Sequence, residues 1–202
     1  MLEFLVGSGL ATAAGLNAWM PLFVLGVADR FVPAVELPGG WAWLSSDVAL
    51  WVVGALLVVE IVADKIPAVD SVNDVIQTVV RPAAGGIAFG AGSSAETVRV
   101  DDPDLLTGTA WVPIAIGVVI ALAVHMVKAA VRPAVNVATA GVAAPVISTV
   151  EDVTSLGLSV LAIIVPIIAL VVIAGLVAAA VLTLRGRRRS RAARDARPSD
   201  DG

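Results

Sequence analysis

The stretch EIVADKIPAVDSVND, residues 60–74, carries Glu60, Asp64, Lys65, Asp70, Asn73 and Asp74 across the end of one long apolar run and the start of an amphipathic segment. Ionisable side chains at membrane depth cost at least about 2.5–3.5 kcal/mol each at a helix centre, so a cluster there marks a functional hypothesis. The fold turns on whether these residues lie in a membrane, and the flanking sequence answers that.

The 202 residues are 58% hydrophobic, with no Cys and no Tyr. Apolar stretches at 4–28, 48–63, 112–127 and 156–184 define an all-α, polytopic integral membrane bundle. The first stretch follows Glu3 rather than a basic segment and continues past signal-peptide length, so it reads as a retained span. The absence of Cys excludes a disulfide framework and thiolate metal sites.

Seven of the 13 basic residues crowd the last eighteen positions (Arg185, Arg187, Arg188, Arg189, Arg191, Arg194 and Arg197), leaving 6 basic against 14 acidic residues in 1–184. We therefore expect a helical bundle over 1–184 and a disordered, basic cytoplasmic tail over 185–202. The tail is suited to anionic lipid headgroups. Nucleic acid is not an expected partner, because an Arg cluster this close to a span is held at the membrane surface.

With that tail inside, the Lys and Arg positions predict six crossings of the cytoplasmic (inner) membrane: 4–28, 48–63, 80–95, 111–131, 133–150 and 156–184. Both termini are then cytoplasmic. The fifth segment, with Gly141 and Pro145, is expected to be weak or broken, and Pro166 to kink the sixth. Lys65, Arg81, Lys128 and Arg132 fall inside, Arg30, Arg99 and the acidic loop 95–107 outside. Trp41, Trp43, Trp51 and Trp111 fall at the outer ends of spans as an aromatic belt. Small residues Gly7, Ala11 and Gly15, and again Gly86 and Gly90, recur at four-residue spacing and predict close helix contacts.

Glu60 and Asp64 are one turn apart, so a helix sets both carboxylates on one face, suited to carrying protons or a cation. Over 67–81, Val69, Val72, Ile76 and Val79 form an apolar face, while Asp70, Asp74, Gln77 and Arg81 line another. That stripe either lies on the cytoplasmic surface or lines a hydrated cavity, and the nearby Glu60 and Asp64 favour the cavity. His125, Lys128 and Arg132 make a basic face that Asn136 extends past Pro133, suited to a phosphate or carboxylate, or to neutralising the acidic stripe. Ser148 and Glu151 have capping-box spacing, with Asp152 beside them at the expected start of the last helix.

The strings IPAVD (66–70) and RPAVN (132–136) align at an offset of 66 and raise an internal repeat. Five strings, GLNAWMPL (15–22), EIVADKIPAVDSVND (60–74), RPAAGG (81–86), HMVKAAVRPAVN (125–136) and STVED (148–152), resemble the uncharacterised bacterial membrane proteins grouped as domain of unknown function 4126. The resemblance covers about residues 7–180. It implies a multi-span membrane protein and no particular activity.

Three functions compete. The leading one is a small transporter or proton- or ion-coupled permease, its site formed by Glu60, Asp64, Asp70 and Asp74 near His125, Lys128 and Arg132, with the bilayer and a small solute or ion as partners. The second is a membrane enzyme acting on a lipid or polyprenyl phosphate, with Asp70, Asp74 and Asp64 holding Mg²⁺. The third is a noncatalytic scaffold with structural ion pairs. No resident cofactor or metal is expected, and self-association is kept open. The chain carries no nucleotide-binding Gly loop, HExxH or GxSxG motif.

Overall fold

The computed structural model describes residues 2–94, 111–165, 174–178 and 181–182. Among them the chain is all helical: α1 (Leu2–Leu16), α2 (Trp19–Phe31), a 3-10 turn (Ala42–Ser45), α3 (Asp47–Ala63), α4 (Pro67–Ser94), α5 (Trp111–Ala138) and α6 (Ala144–Ile164). The loop 95–107, Pro166 and the Arg tail lie outside the described residues.

The first apolar stretch is two helices, not one. Pro21 has no N–H for the Asn17 carbonyl and its ring would strike that carbonyl, so a continuous helix fails there. The chain leaves helical form at Asn17–Ala18 and restarts at Trp19, with Pro21 in the tolerant first turn. By contrast, the expected boundary near Arg81 is absent. The amphipathic segment and the third span are one helix of 28 residues with Pro82 inside it. Residues 133–150 are likewise not a crossing, because α5 runs through Pro133 and the chain reverses in a turn over residues 139–143. That turn uses left-handed backbone at Ala140 (φ 51°) and Gly141 (φ 81°).

α6 therefore begins at Ala144 with Pro145 in its first turn and no side-chain cap. Ser148, Glu151 and Asp152 lie inside that helix and do not start it. The strings at 66–70 and 132–136 occupy different settings too, the first opening α4 and the second inside α5.

α1 is the central helix, packed against α4, α5 and α6, and α4 packs most extensively against α5. Small residues permit this. A Cβ on Gly85 would collide with Ala121, and one on Gly117 would collide with the Gly85 carbonyl. Gly7 faces Phe89 of α4, whereas Gly15 faces Ala121 and Val124 of α5. Leu10, Ala14, Ala84, Ala88, Ala91, Ala121 and Ala162 form much of the core.

The polarity of α4 is inverted relative to a helix on a water-soluble protein. Arg81 is 0% and Gln77 4% exposed, while Val72, Val75 and Val79 are 63%, 73% and 74% exposed. α3 likewise turns Trp51, Val58, Val59 and Val62 outward and buries Glu60 and Asp64. Among the described residues two helices, Trp111–Ala138 and Ala144–Ile164, are long and apolar enough to cross a membrane. Of the four belt tryptophans, Trp43, Trp51 and Trp111 are exposed and Trp41 is buried.

Candidate functional site

The buried polar groups converge on the break between α1 and α2. α1 ends with carbonyls that lack helical donors, and α2 starts with N–H groups that lack helical acceptors. Glu60, in the last turn of α3, accepts the Ala18 N–H through both carboxylate oxygens, at 3.0 and 3.2 Å. Asn17 Oδ1 accepts from the N–H of Trp19 (3.2 Å) and Met20 (3.0 Å). On the opposite side, Arg81 Nη1 donates to Gly15 O (3.5 Å) and Lys128 Nζ to Leu16 O (3.2 Å). Carboxylate and amide oxygens thus meet the positive end of α2, and cations meet the negative end of α1.

Asp64, capping the C-terminus of α3, is the hub of the charges. Its Oδ2 lies 3.2 Å from Arg81 Nη2, 3.0 Å from Lys128 Nζ and 3.7 Å from Arg132 Nη2. Its Oδ1 accepts from Asn73 Nδ2 at 2.7 Å. Arg81 Nη2 also meets Glu60 Oε1 at 2.9 Å. Glu151 Oε2 bridges Lys128 and Arg132, each at 3.0 Å. Arg132 Nη1 reaches Asp74 at 3.8 Å, and Lys65 pairs with Asp152 at 2.9 Å. Removing one member of such a buried set would strand a charge, which is more costly than the set's net contribution to stability.

His125 is fully buried beside Arg81, with Nδ1 3.3 Å from Nη1. A guanidinium is only a donor, so Nδ1 must present its lone pair. The proton then resides on Nε2, which donates to Thr78 Oγ1 at 3.1 Å, and Thr78 passes its own hydrogen to Asp74 O at 2.9 Å. In this arrangement the ring is neutral and acts as a relay between Arg81 and the α4 backbone. It does not extend the positive face of Lys128 and Arg132.

The structure thus brings together Glu60, Asp64, Lys65, Asp74, Arg81, His125, Lys128, Arg132, Glu151 and Asp152 from four helices and the α3–α4 junction. Asn136 lies one turn beyond Arg132, and its Oδ1 has no hydrogen-bond partner among the described residues. Asp70 lies on α4, but its side chain is outside the described set. Sequence reasoning missed Asn17, whose Nδ2 also donates to Asp152 (3.0 Å). The missed signal was Pro21 four residues later. It also missed Ser155 and Ser159, which continue Ser148 and Asp152 as an inward-facing stripe at helical spacing, with Ser155 donating to the Ala13 carbonyl (2.9 Å).

Fold and site together define a helical bundle with an apolar exterior, two membrane-capable helices and a buried charge cluster around a broken helix. The family model described as Domain of unknown function (DUF4126) matches residues 4–186, and the chain belongs to that family. No curated protein and no solved structure matches it.

Proposed function

We propose that this is a multi-pass protein of the cytoplasmic membrane that moves a small solute or ion, coupled to protons, through a site at the α1–α2 break. The observation that carries the reading is that break itself, with its freed backbone groups held by buried Glu60, Asn17, Arg81 and Lys128. In a bilayer, non-helical backbone is tolerated only where protein encloses it or a cavity is lined by it, and half-helix ends are where transporters hold ions and charged solutes. The inverted polarity of α3 and α4 supports lipid on the outside, because exposed valines around buried charges suit hydrocarbon and not water.

The mechanism follows from exchangeable partners. A proton on Glu60 would weaken its hold on Arg81 and on the Ala18 N–H. Arg81 would keep Asp64, while the start of α2 would become open to a solute oxygen. Lys128 and Arg132, shared between Asp64 and Glu151, would balance the charge of an anionic solute. On this reading α1–α2, α3, α4, α5 and α6 would supply five crossings, and a sixth in the apolar sequence beyond Val165 would return the chain to its starting side. The metal-dependent alternative is less favoured because Asp64, one of its three carboxylates, is already engaged by Arg81 and Lys128.

The chain has no native Cys, so accessibility can be read one site at a time. Gln77→Cys and Ser148→Cys introduce thiols at positions buried in this state. A transporter must open, so a membrane-impermeant thiol reagent should label both in sealed vesicles. Failure to label either position from either side, with full labelling after denaturation, would favour a static scaffold.

A further inference from the structure

A groove of about 480 Å³ runs between α2 and α3, none of its lining residues belongs to the charged cluster, and no part of the proposed function uses it. Its walls are almost wholly apolar, formed by Phe23, Val27, Leu50, Ala55 and Val58, with Gly54 leaving the space between. The volume falls within the roughly 300–1,000 Å³ of small-molecule sites. At one end, Arg30 in the last turn of α2 forms an ion pair with Asp47 in the first turn of α3, and both side chains reach solvent.

Two features indicate what fits. From Asp47 to Val58, α3 rises about 16 Å, roughly half the ~30 Å hydrocarbon thickness, so the groove spans about one leaflet. Trp51, 82% exposed, lines the groove one turn from Asp47, and Trp43, 48% exposed, precedes Asp47 by four residues, so both are suited to the headgroup level. The charges at that end are balanced. A guanidinium beside a carboxylate complements a zwitterion, whose phosphate meets Arg30 and whose ammonium meets Asp47. An anionic headgroup without an amine would face Asp47 uncompensated.

We propose that this groove binds one zwitterionic, amine-bearing phospholipid of the phosphatidylethanolamine type, with an acyl chain between α2 and α3 and its headgroup on Arg30 and Asp47. The proposal needs the bilayer but not transport, so the two can fail separately.

The test is native mass spectrometry of the full chain equilibrated with equal amounts of phosphatidylethanolamine and phosphatidylglycerol of matched acyl chains. Phosphatidylethanolamine should be retained over phosphatidylglycerol by about fivefold, the ratio expected from about 1 kcal/mol at one partly exposed charged contact. Gly54→Leu fills the groove against Phe23, whose ring can shift, and should lose the bound lipid. Asp47→Asn leaves Arg30 uncompensated and should move the preference toward phosphatidylglycerol. Equal retention of the two lipids by the native chain would overturn the proposal. So would lipid retention by folded Gly54→Leu, or an unchanged preference in Asp47→Asn, which decides the matter if the leucine variant does not fold.

Discussion

Arg81 and Glu60 meet at 2.9 Å with side chains only 0% and 1% exposed, and the same carboxylate accepts the backbone N–H of Ala18. One ion pair thereby ties α4 and α3 to the start of α2. Its loss should be asymmetric. Arg81→Met alone leaves the Glu60 carboxylate without its cation, while Asp64 keeps Lys128, and should destabilise the protein by roughly 3–5 kcal/mol. Arg81→Met with Glu60→Gln removes the stranded charge, keeps an acceptor for Ala18 and should recover part of that loss. A thermal-unfolding double-mutant cycle in detergent reads the coupling, and additive effects would contradict it.

Asn17 caps α2 with its oxygen and binds Asp152 with its amide nitrogen. Asn17→Leu should cost about 1–2 kcal/mol for the cap alone. Asn17→Asp should keep the cap but set a second carboxylate against Asp152. Its melting temperature should fall at neutral pH, and a melting temperature equal to that of the native chain would contradict the Asn17–Asp152 contact.

The α4–α5 contact depends on the absence of side chains at Gly85 and Gly117. Gly117→Ala should cost about 1–3 kcal/mol through overpacking. The surface glycine Gly157 has nothing within 4 Å of where a Cβ would lie, so Gly157→Ala should be tolerated or slightly stabilising. Equal melting shifts in the two variants would refute the close-packing explanation.

Ala140 holds a left-handed backbone (φ 51°) in the turn that joins α5 and α6. Ala140→Gly relieves that strain and should stabilise by about 0.5–1 kcal/mol, whereas Gly141→Ala should destabilise. Chemical denaturation of the two variants checks both signs.

Much of the cluster was legible because helical spacing is a local property. Glu60 and Asp64 on one turn, and His125, Lys128 and Arg132 on one face, need only the 3.6-residue period. The inward turn of the α4 stripe was legible from its neighbours. Element boundaries were not, because proline reads differently by position. Pro82 and Pro133 sit inside long helices held by packing, while Pro21 breaks one, and the sequence reading ended a segment at Arg81, opened another at Pro133 and passed over Pro21. The role of His125 was beyond sequence, since its protonation depends on Arg81, which is 44 residues away in the chain.

The central claim is that the break between α1 and α2 is a pathway and not merely a braced defect. It is tested most directly by proton flux into proteoliposomes that enclose a pH-sensitive dye, under an imposed gradient. The native chain should dissipate the gradient faster than protein-free vesicles, and Glu60→Gln and His125→Ala, reconstituted in equal amounts, should lose most of that flux. Flux from both variants at the native rate, or none from the native chain, would contradict it.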